Sequence, residues 1–377
     1  MTRSHIYGAA ATIVGTIVGA GILGLPYVVS RTGIAVGIVQ LISVGLLFML
    51  LNLYVGEISL RTKGDHQLSG YAEKYLGKKA KIVMILSMMF GIWMALVAYG
   101  IGIGAAIAAI VGGSALVYGI IVFLSLAITI YFGINIIENA EKLLVTTMIA
   151  TILLICLQTA AFIKTENLTT ISYAPILSSF SVIFFAYLGS VSVIEAKQIL
   201  GRKRGLLKKV IIIGAGIPII LYVLFAFFVV GVAGMNTTEV ATVGLGMMTS
   251  KNIIFIGNIL AILTMSTSFI SLGFCLKDTF RLDFKLNRNI AWIMTITIPL
   301  AIILFQFAGF IKAISIAGAL EGGILSTLIV LIALKSKEKS ELTPEYSIPL
   351  NKFGAGLIII FFIGIMLYQI AVITGII

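Results

Sequence analysis

Apolar runs of about 20 or more residues recur along nearly the whole chain, separated by short polar segments. Runs of that length match the hydrocarbon thickness of a bilayer. They predict eleven spans, at roughly 6–29, 33–60, 80–111, 114–135, 141–164, 172–200, 206–234, 251–280, 289–309, 312–334 and 353–375. No segment between them is long or polar enough to form a soluble domain, so residues 1–377 read as one membrane domain. The predicted class is an all-α polytopic membrane protein.

The first run is not an ordinary anchor. Gly15-Thr16-Ile17-Val18-Gly19-Ala20-Gly21-Ile22-Leu23-Gly24-Leu25-Pro26 places four glycines and a proline where Leu, Ile and Val would make a plain helix. These residues predict a break near Gly19-Ala20-Gly21. Broken backbone at membrane depth is tolerated only where it is buried in protein or lines a polar cavity. A second interruption falls in the sixth span, at Phe184-Phe185-Ala186-Tyr187-Leu188-Gly189-Ser190, with Pro175 near its outer start. Five spans occupy about 1–164 and five about 170–335, followed by an extra helix at about 353–375. Five is odd, so the second block runs inverted to the first, and both blocks open on an interrupted helix. Paired interruptions at corresponding positions mark the binding site of a secondary transporter. Close packing through Gly15 and Gly19 would explain the glycines, but not their symmetry.

Composition agrees with this class: 60% of residues are hydrophobic and 11% charged. The net charge of +12 does not indicate nucleic acid, because the basic residues sit in short loops between apolar runs. With the N-terminus inside, 22 of the 26 Lys and Arg residues fall on the inner side; only Arg31, Lys164, Lys251 and Lys312 fall outside. This asymmetry predicts a cytoplasmic N-terminus and an extracellular C-terminus in a cell membrane. Cys156 and Cys275 lie in different spans and read as reduced packing residues. His5 and His66 are too few and too far apart for a metal site.

The breaks carry their own chemistry. Amides at Ala20, Gly21 and Ile22 open a second half-helix, and its positive dipole end suits a carboxylate. Carbonyls near Ile17 and Val18, with others near Phe185 and Ala186, suit an ammonium group or a cation. Together they form a site for an amino acid zwitterion, with Gly19 and Gly189 giving access to the backbone. Side chains that could shape the rest of the pocket are Trp93, Tyr99, Phe184, Tyr187, Met265 and Phe269, each with ordinary packing as the competing reading. Carboxylates inside a membrane are expensive and by default functional. Glu321, mid-span in the tenth run, is a candidate proton carrier, with a structural carboxyl as the alternative. Glu195 is a candidate inner gate, partnered by Lys197 or Arg202. Glu57, beside Arg61, reads as a gate or an interfacial ion pair. Asn236-Thr237-Thr238-Glu239 predicts the start of a short outer lid helix.

Gly-Ala-Gly-Ile-Leu-Gly-Leu-Pro at 19–26 resembles the first-helix signature of the amino acid/auxin and aromatic amino acid permeases. Phe184–Ser190 with Glu195, and Thr267-Ser268-Phe269-Ile270-Ser271-Leu272-Gly273 with Asp278, are similar to helices six and eight of the bacterial aromatic and hydroxy amino acid permeases. Gly56-Glu57-Ile58 resembles the acidic end of the second helix in the wider amino acid–polyamine–organocation superfamily. The resemblance implies a LeuT-type five-plus-five inverted repeat with broken first and sixth helices and cation-coupled amino acid uptake. It also implies a sodium site from Thr267 and Ser268 with carbonyls of Gly15 and Val18. The proton-coupled variant that uses a Lys on the fifth helix is not supported, because no Lys lies between Lys142 and Lys164.

The function expected is symport of a neutral aromatic or apolar amino acid, coupled to Na+ or H+, with no cofactor. Its partners are the amino acid and the lipid bilayer, not nucleic acid, and the oligomeric state stays open, a monomer included. The alternative is a non-transporting amino acid receptor on the same fold, like spore germination subunits. An enzyme is not expected: there is no His/Asp/Glu cluster, nucleophile elbow or nucleotide loop.

Overall fold

The computed structural model describes residues 2–132, 138–169, 176–249, 251–282 and 284–376, and every regular element among them is helical. Pro175 and the side chains of Lys142 and Lys251 lie outside what is described. The first span consists of two half-helices, α1 (Thr2–Ile17) and α2 (Gly21–Thr32), bent by 54° at Val18-Gly19-Ala20. After α2, Gly33 adopts φ 87°, a left-handed conformation that glycine takes without penalty, and turns the chain into α3 (Ile34–Arg61). A short helix α4 (Leu68–Leu76) leads to α5 (Lys78–Val111), α6 (Ala115–Phe132) and α7 (Glu138–Thr159).

The second half opens with α8 (Ile176–Tyr187) and α9 (Val191–Leu200), interrupted at Leu188-Gly189-Ser190. α10 (Leu207–Ala233), the short α11 (Ala241–Met248), α12 (Lys251–Leu282) and α13 (Arg288–Leu304) follow. The tenth span is α14 (Phe310–Ala317), a π turn at Gly318–Gly322, and α15 (Gly323–Glu338); α16 (Lys352–Ile373) is the extra helix. Among the described residues nine helices are long and apolar enough to cross a membrane, and the bent α1–α2 pair makes a tenth. α13 has 17 residues, at about 1.5 Å each the low end of what spans hydrocarbon, and completes the expected eleven.

Packing repeats the symmetry of the sequence. α3 packs on α10, α5 on α12, α6 on α13, and the halves of the first span on those of the sixth, α1 with α9 and α2 with α8. Each of these spans therefore meets the one five places later, as an inverted pair of five-helix repeats requires.

The basic face is braced by polar contacts. Glu57, buried at the end of α3, accepts from Arg61 Nε (2.9 Å), Ser347 Oγ (2.8 Å) and the Ile348 amide (2.8 Å), and pairs with Lys337 Nζ at 3.0 Å. These bonds bind the strap between α15 and α16 across the end of α3. Tyr346 adds a hydroxyl bond to the Leu53 carbonyl (2.8 Å). α4, absent from the sequence reading because nine residues are too few to stand out as a span, lies on this face and buries Leu68, Tyr71, Ala72 and Tyr75. The lid expected at Asn236–Glu239 is a 3₁₀ turn (Gly234–Asn236) and a later start, α11, with Thr238 Oγ1 accepting from the Gly244 amide (2.9 Å).

Glu341 fastens the outer edge of the strap, accepting from Lys74 Nζ and the Lys63 amide, each at 2.8 Å. These bonds hold its carboxyl below the ordinary carboxylate range, the Lys74 bond contributing most. A depressed carboxyl stabilises the fold above its unfolded pKa and loses that contribution as pH falls through the folded one. The thermal midpoint of Glu341→Gln is therefore expected below wild type at neutral pH. The gap should close on acidification below about pH 4, the ordinary carboxyl range. A gap that stays constant with pH would contradict this assignment.

Candidate functional site

The two breaks face each other at the centre of the fold. A Cβ on Gly21 would stand 2.5 Å from the Ala186 Cα, and one on Gly189 2.5 Å from Ile17 Cγ1. Only glycine permits backbone to approach backbone this closely. Between them, the buried Tyr222 of α10 places its hydroxyl 2.7 Å from the Ile17 carbonyl and 2.8 Å from the Ala186 carbonyl. Its single proton is shared between carbonyls in the last turns of α1 and α8. Ser190, in the second break, donates to Asn52 Oδ1 of α3 (2.8 Å), and the other Asn52 amide atom is buried without a partner.

At the first break Val18 N–H donates to Val14 (2.8 Å), Gly19 N–H to Ile17 (2.9 Å) and Leu23 N–H to Ala20 (3.0 Å). The amides of Ala20, Gly21 and Ile22 form the opening turn of α2, which has no intrahelical acceptors for them. They and the positive end of α2 form a ready anion site. Around Gly19 stand Ser268 of α12 and Tyr99 of α5: a Gly19 Cβ would lie 3.4 Å from Ser268 Oγ and 3.8 Å from the Tyr99 hydroxyl. Tyr99 and Ser268 are hydrogen-bonded to each other. Beside the first turn of α2 lies a small apolar cleft, about 10 Å³, lined in part by Ile22, Met148, Ile152, Phe225 and Leu260.

Of the side chains expected to shape the pocket, Tyr99 reaches the breaks. Phe184 points outward into an aromatic cluster with Phe48, Phe361 and Phe362, at ring distances of 4.9–5.8 Å. Tyr187 turns to α3, donating to the Leu41 carbonyl (3.0 Å). Met265 packs on Gly102 and Phe269 on Phe123, while Trp93 donates to the Met294 carbonyl at 3.1 Å. Phe185 lies against the π turn, its amide 2.7 Å from where a Gly318 Cβ would be. Thr267 gives its hydroxyl to the Leu263 and Thr264 carbonyls of its own helix. Thus, of the set Gly15, Val18, Thr267 and Ser268, the one hydroxyl turned to the first break is that of Ser268. No group of three or more His, Cys, Asp or Glu side chains fit for a metal occurs among the described residues.

The three carboxylates separate. Glu57 is held in the strap. Lys197, one of the two partners expected for Glu195 beside Arg202, is buried, donating to the Ser59 carbonyl (2.8 Å) and 3.6 Å from Asp65. Glu195 is exposed, and together with Asp278 and Glu321 it lies within electrostatic range of Cys275. Helices six, eight and ten thus bring Glu195, Asp278 and Glu321 around Cys275 on the basic side of the breaks. Thr16, Ser271 and Cys275 are solvent-exposed on that side. The opposite side is shut. A Cβ on Gly24 would stand 2.6 Å from Ile314 Cδ1, and Glu239 reaches over to accept from the Ile311 amide (3.2 Å).

The residues that sequence reasoning missed are Tyr222, Asn52 and the π turn. A tyrosine in an apolar helix looks like packing, and only the partner carbonyls reveal its role.

Comparison with known proteins places these features in context. The model of the tryptophan/tyrosine permease family matches residues 2–369. Tyrosine-specific transport system 1 of Haemophilus influenzae is 24% identical, over 96% of this chain and 95% of that one. Glutamine transporter 2 of Aliivibrio fischeri is 23% identical, over 97% and 99%. Among solved structures, that of MhsT in complex with L-phenylalanine aligns with a TM-score of 0.67 at 14% identity, covering 97% of each chain. That likeness shows the LeuT-type fold.

Two variants test the paired breaks. Gly21→Ala forces the breaks apart and is expected to abolish amino acid binding in a scintillation proximity assay. Gly216→Ala, with nothing within 4 Å of the added carbon, should bind as wild type. Tyr222→Phe leaves buried carbonyls short of a donor and should destabilise the protein by about 1–3 kcal/mol in denaturation measurements.

Proposed function

The chain belongs to the tryptophan/tyrosine permease family, and from that membership we propose secondary active transport of a neutral amino acid with an aromatic or apolar side chain. The amino acid enters the cell with a cation, by alternating access. The protein is a multi-pass membrane protein, and the charge asymmetry favours a cell membrane with the N-terminus inside.

The observation that carries this reading is the apposition of the two breaks at Gly21 and Ala186. It brings the free amides of α2, partners for a carboxylate, beside the C-terminal ends of α1 and α8, whose negative dipole ends suit an ammonium group. Backbone alone meets the groups common to all amino acids. No charged side chain is among those placed around Gly19 and Gly21, which favours a neutral side chain. Relatives named for tyrosine and glutamine transport are consistent with neutral substrates. The exposed space on the basic side and the sealed opposite side are the features of an inward-facing state, and favour a transporter over a receptor.

Purified protein in liposomes is expected to accumulate a labelled aromatic or apolar amino acid when a sodium or proton gradient is imposed. Binding without uptake, for every amino acid tried under either gradient, would refute transport and support a receptor.

A further inference from the structure

Glu321 sits on the π turn of the tenth span, deep in the membrane. A π turn interrupts the regular helix and is found preferentially at functional sites. Gly318 presses one side of the turn onto the sixth span, where its Cβ would meet the Ser181 carbonyl. The Glu321 carboxyl lies on the other side, over Gly91 of α5, where any larger residue would fill its place. Neither carboxylate oxygen has a hydrogen-bond donor or an ion-pair partner among the described residues.

The groups around it offer no counter-charge. From α5 the titratable neighbour is Tyr99, and from α12 it is Cys275. Beyond Cys275 lie Glu195 of α9 and Asp278 of α12, both acidic. α8 carries one titratable side chain, Tyr187, whose hydroxyl is turned to the Leu41 carbonyl of α3, and α14, α15 and α16 place Lys312, Lys335, Lys337, Glu338 and Lys352 near their ends, with Tyr368 the remaining such group on α16. An unpaired carboxylate at membrane depth is costly unless neutralised. Glu321 is not sealed off completely, and the exposed Cys275 and Glu195 lie on its basic side, the side from which a proton would reach it. It also senses Tyr99, which is bonded to Ser268 beside Gly19.

Resting on the transport reading above, we propose that Glu321 is the proton-binding site of the transport cycle. Its carboxylate oxygen takes a proton from water on the outer side, forming a neutral acid that crosses the cycle with the amino acid. In the inward-facing state the O–H bond breaks and the proton passes to water in the inner space, restoring the carboxylate. No redox partner or further reactant is needed. Tyr99 and Ser268 link this event to the first break.

The test uses full-length protein in liposomes without sodium. With one proton per substrate, each imposed pH unit sustains about tenfold accumulation. Wild type is expected to show this accumulation, and an internal pH dye should report acidification driven by substrate. Glu321→Gln should reach only equilibration, through exchange that no longer varies with pH. Glu321→Asp should restore accumulation with a displaced pH profile. Glu321→Gln that still accumulates substrate under a pH gradient overturns the proposal. So does wild-type accumulation that follows sodium and ignores pH, which leaves transport itself standing. Should Glu321→Gln fail to fold, the wild-type dye signal and the Glu321→Asp profile decide. No uptake by wild type under any gradient refutes transport instead.

Discussion

Hydrocarbon cannot hydrogen-bond to a peptide group, and the whole arrangement follows from that constraint. Two helices are broken at mid-membrane, so each exposes amides and carbonyls with nothing in lipid to satisfy them. The structure answers by placing the breaks against each other and against Tyr222. One phenol serves carbonyls in the last turns of both α1 and α8, and glycines remove the side chains that would keep the backbones apart. The amides at the start of α2 are left for a ligand. The site is thus the remainder after internal satisfaction is complete, and its polarity is set by which groups are left over. This is why recognition of the shared part of an amino acid needs no charged side chain at the breaks.

Much of this was legible in the sequence. Apolar length gives the spans, and Gly19, Gly21 and Gly189 mark backbone that no ordinary spanning helix would contain. The limits were equally physical. Phe184 and Tyr187 flank a break, yet their side chains leave the helix on the faces toward α3 and α16, so nearness along the chain misled. Thr267 and Ser268 are adjacent, but about 100° apart around the helix, and the two hydroxyls find different partners. Tyr222 and Asn52 carry no local signal, because their importance lies in carbonyls and hydroxyls contributed by other helices. The π turn is invisible to periodicity, since one extra residue barely alters a short apolar pattern, although the glycines around Glu321 hint at it.

The molecule is held unevenly. On the basic face the strap ties α3 to α15 through Glu57, while α4 packs beneath it against α5 and α15. On the far side Glu239 and the residues facing Gly24 join α11, α2 and α14. The half-helices α1 and α9 on the basic side pack on each other and leave Thr16 and Glu195 exposed. Motion confined to that pair would leave the strap unbroken. The hinge for such motion is already present in the two breaks, where the backbone is not committed to a helical ladder.

The π turn has a geometric meaning of its own. One surplus residue in a helix offsets everything on its outward side by about 100° of rotation and about 1.5 Å of rise. α14 therefore stands on α15 in a different angular register from the one an unbroken helix would give it. That register is what presents Ile314, Ile311 and Phe310 to Gly24. If the extra residue were absorbed, these three side chains would swing away from Gly24 like the teeth of a turned key. A single residue's worth of phase thus decides which side chains of α14 meet α2, and it lies in the same turn as the carboxyl of Glu321.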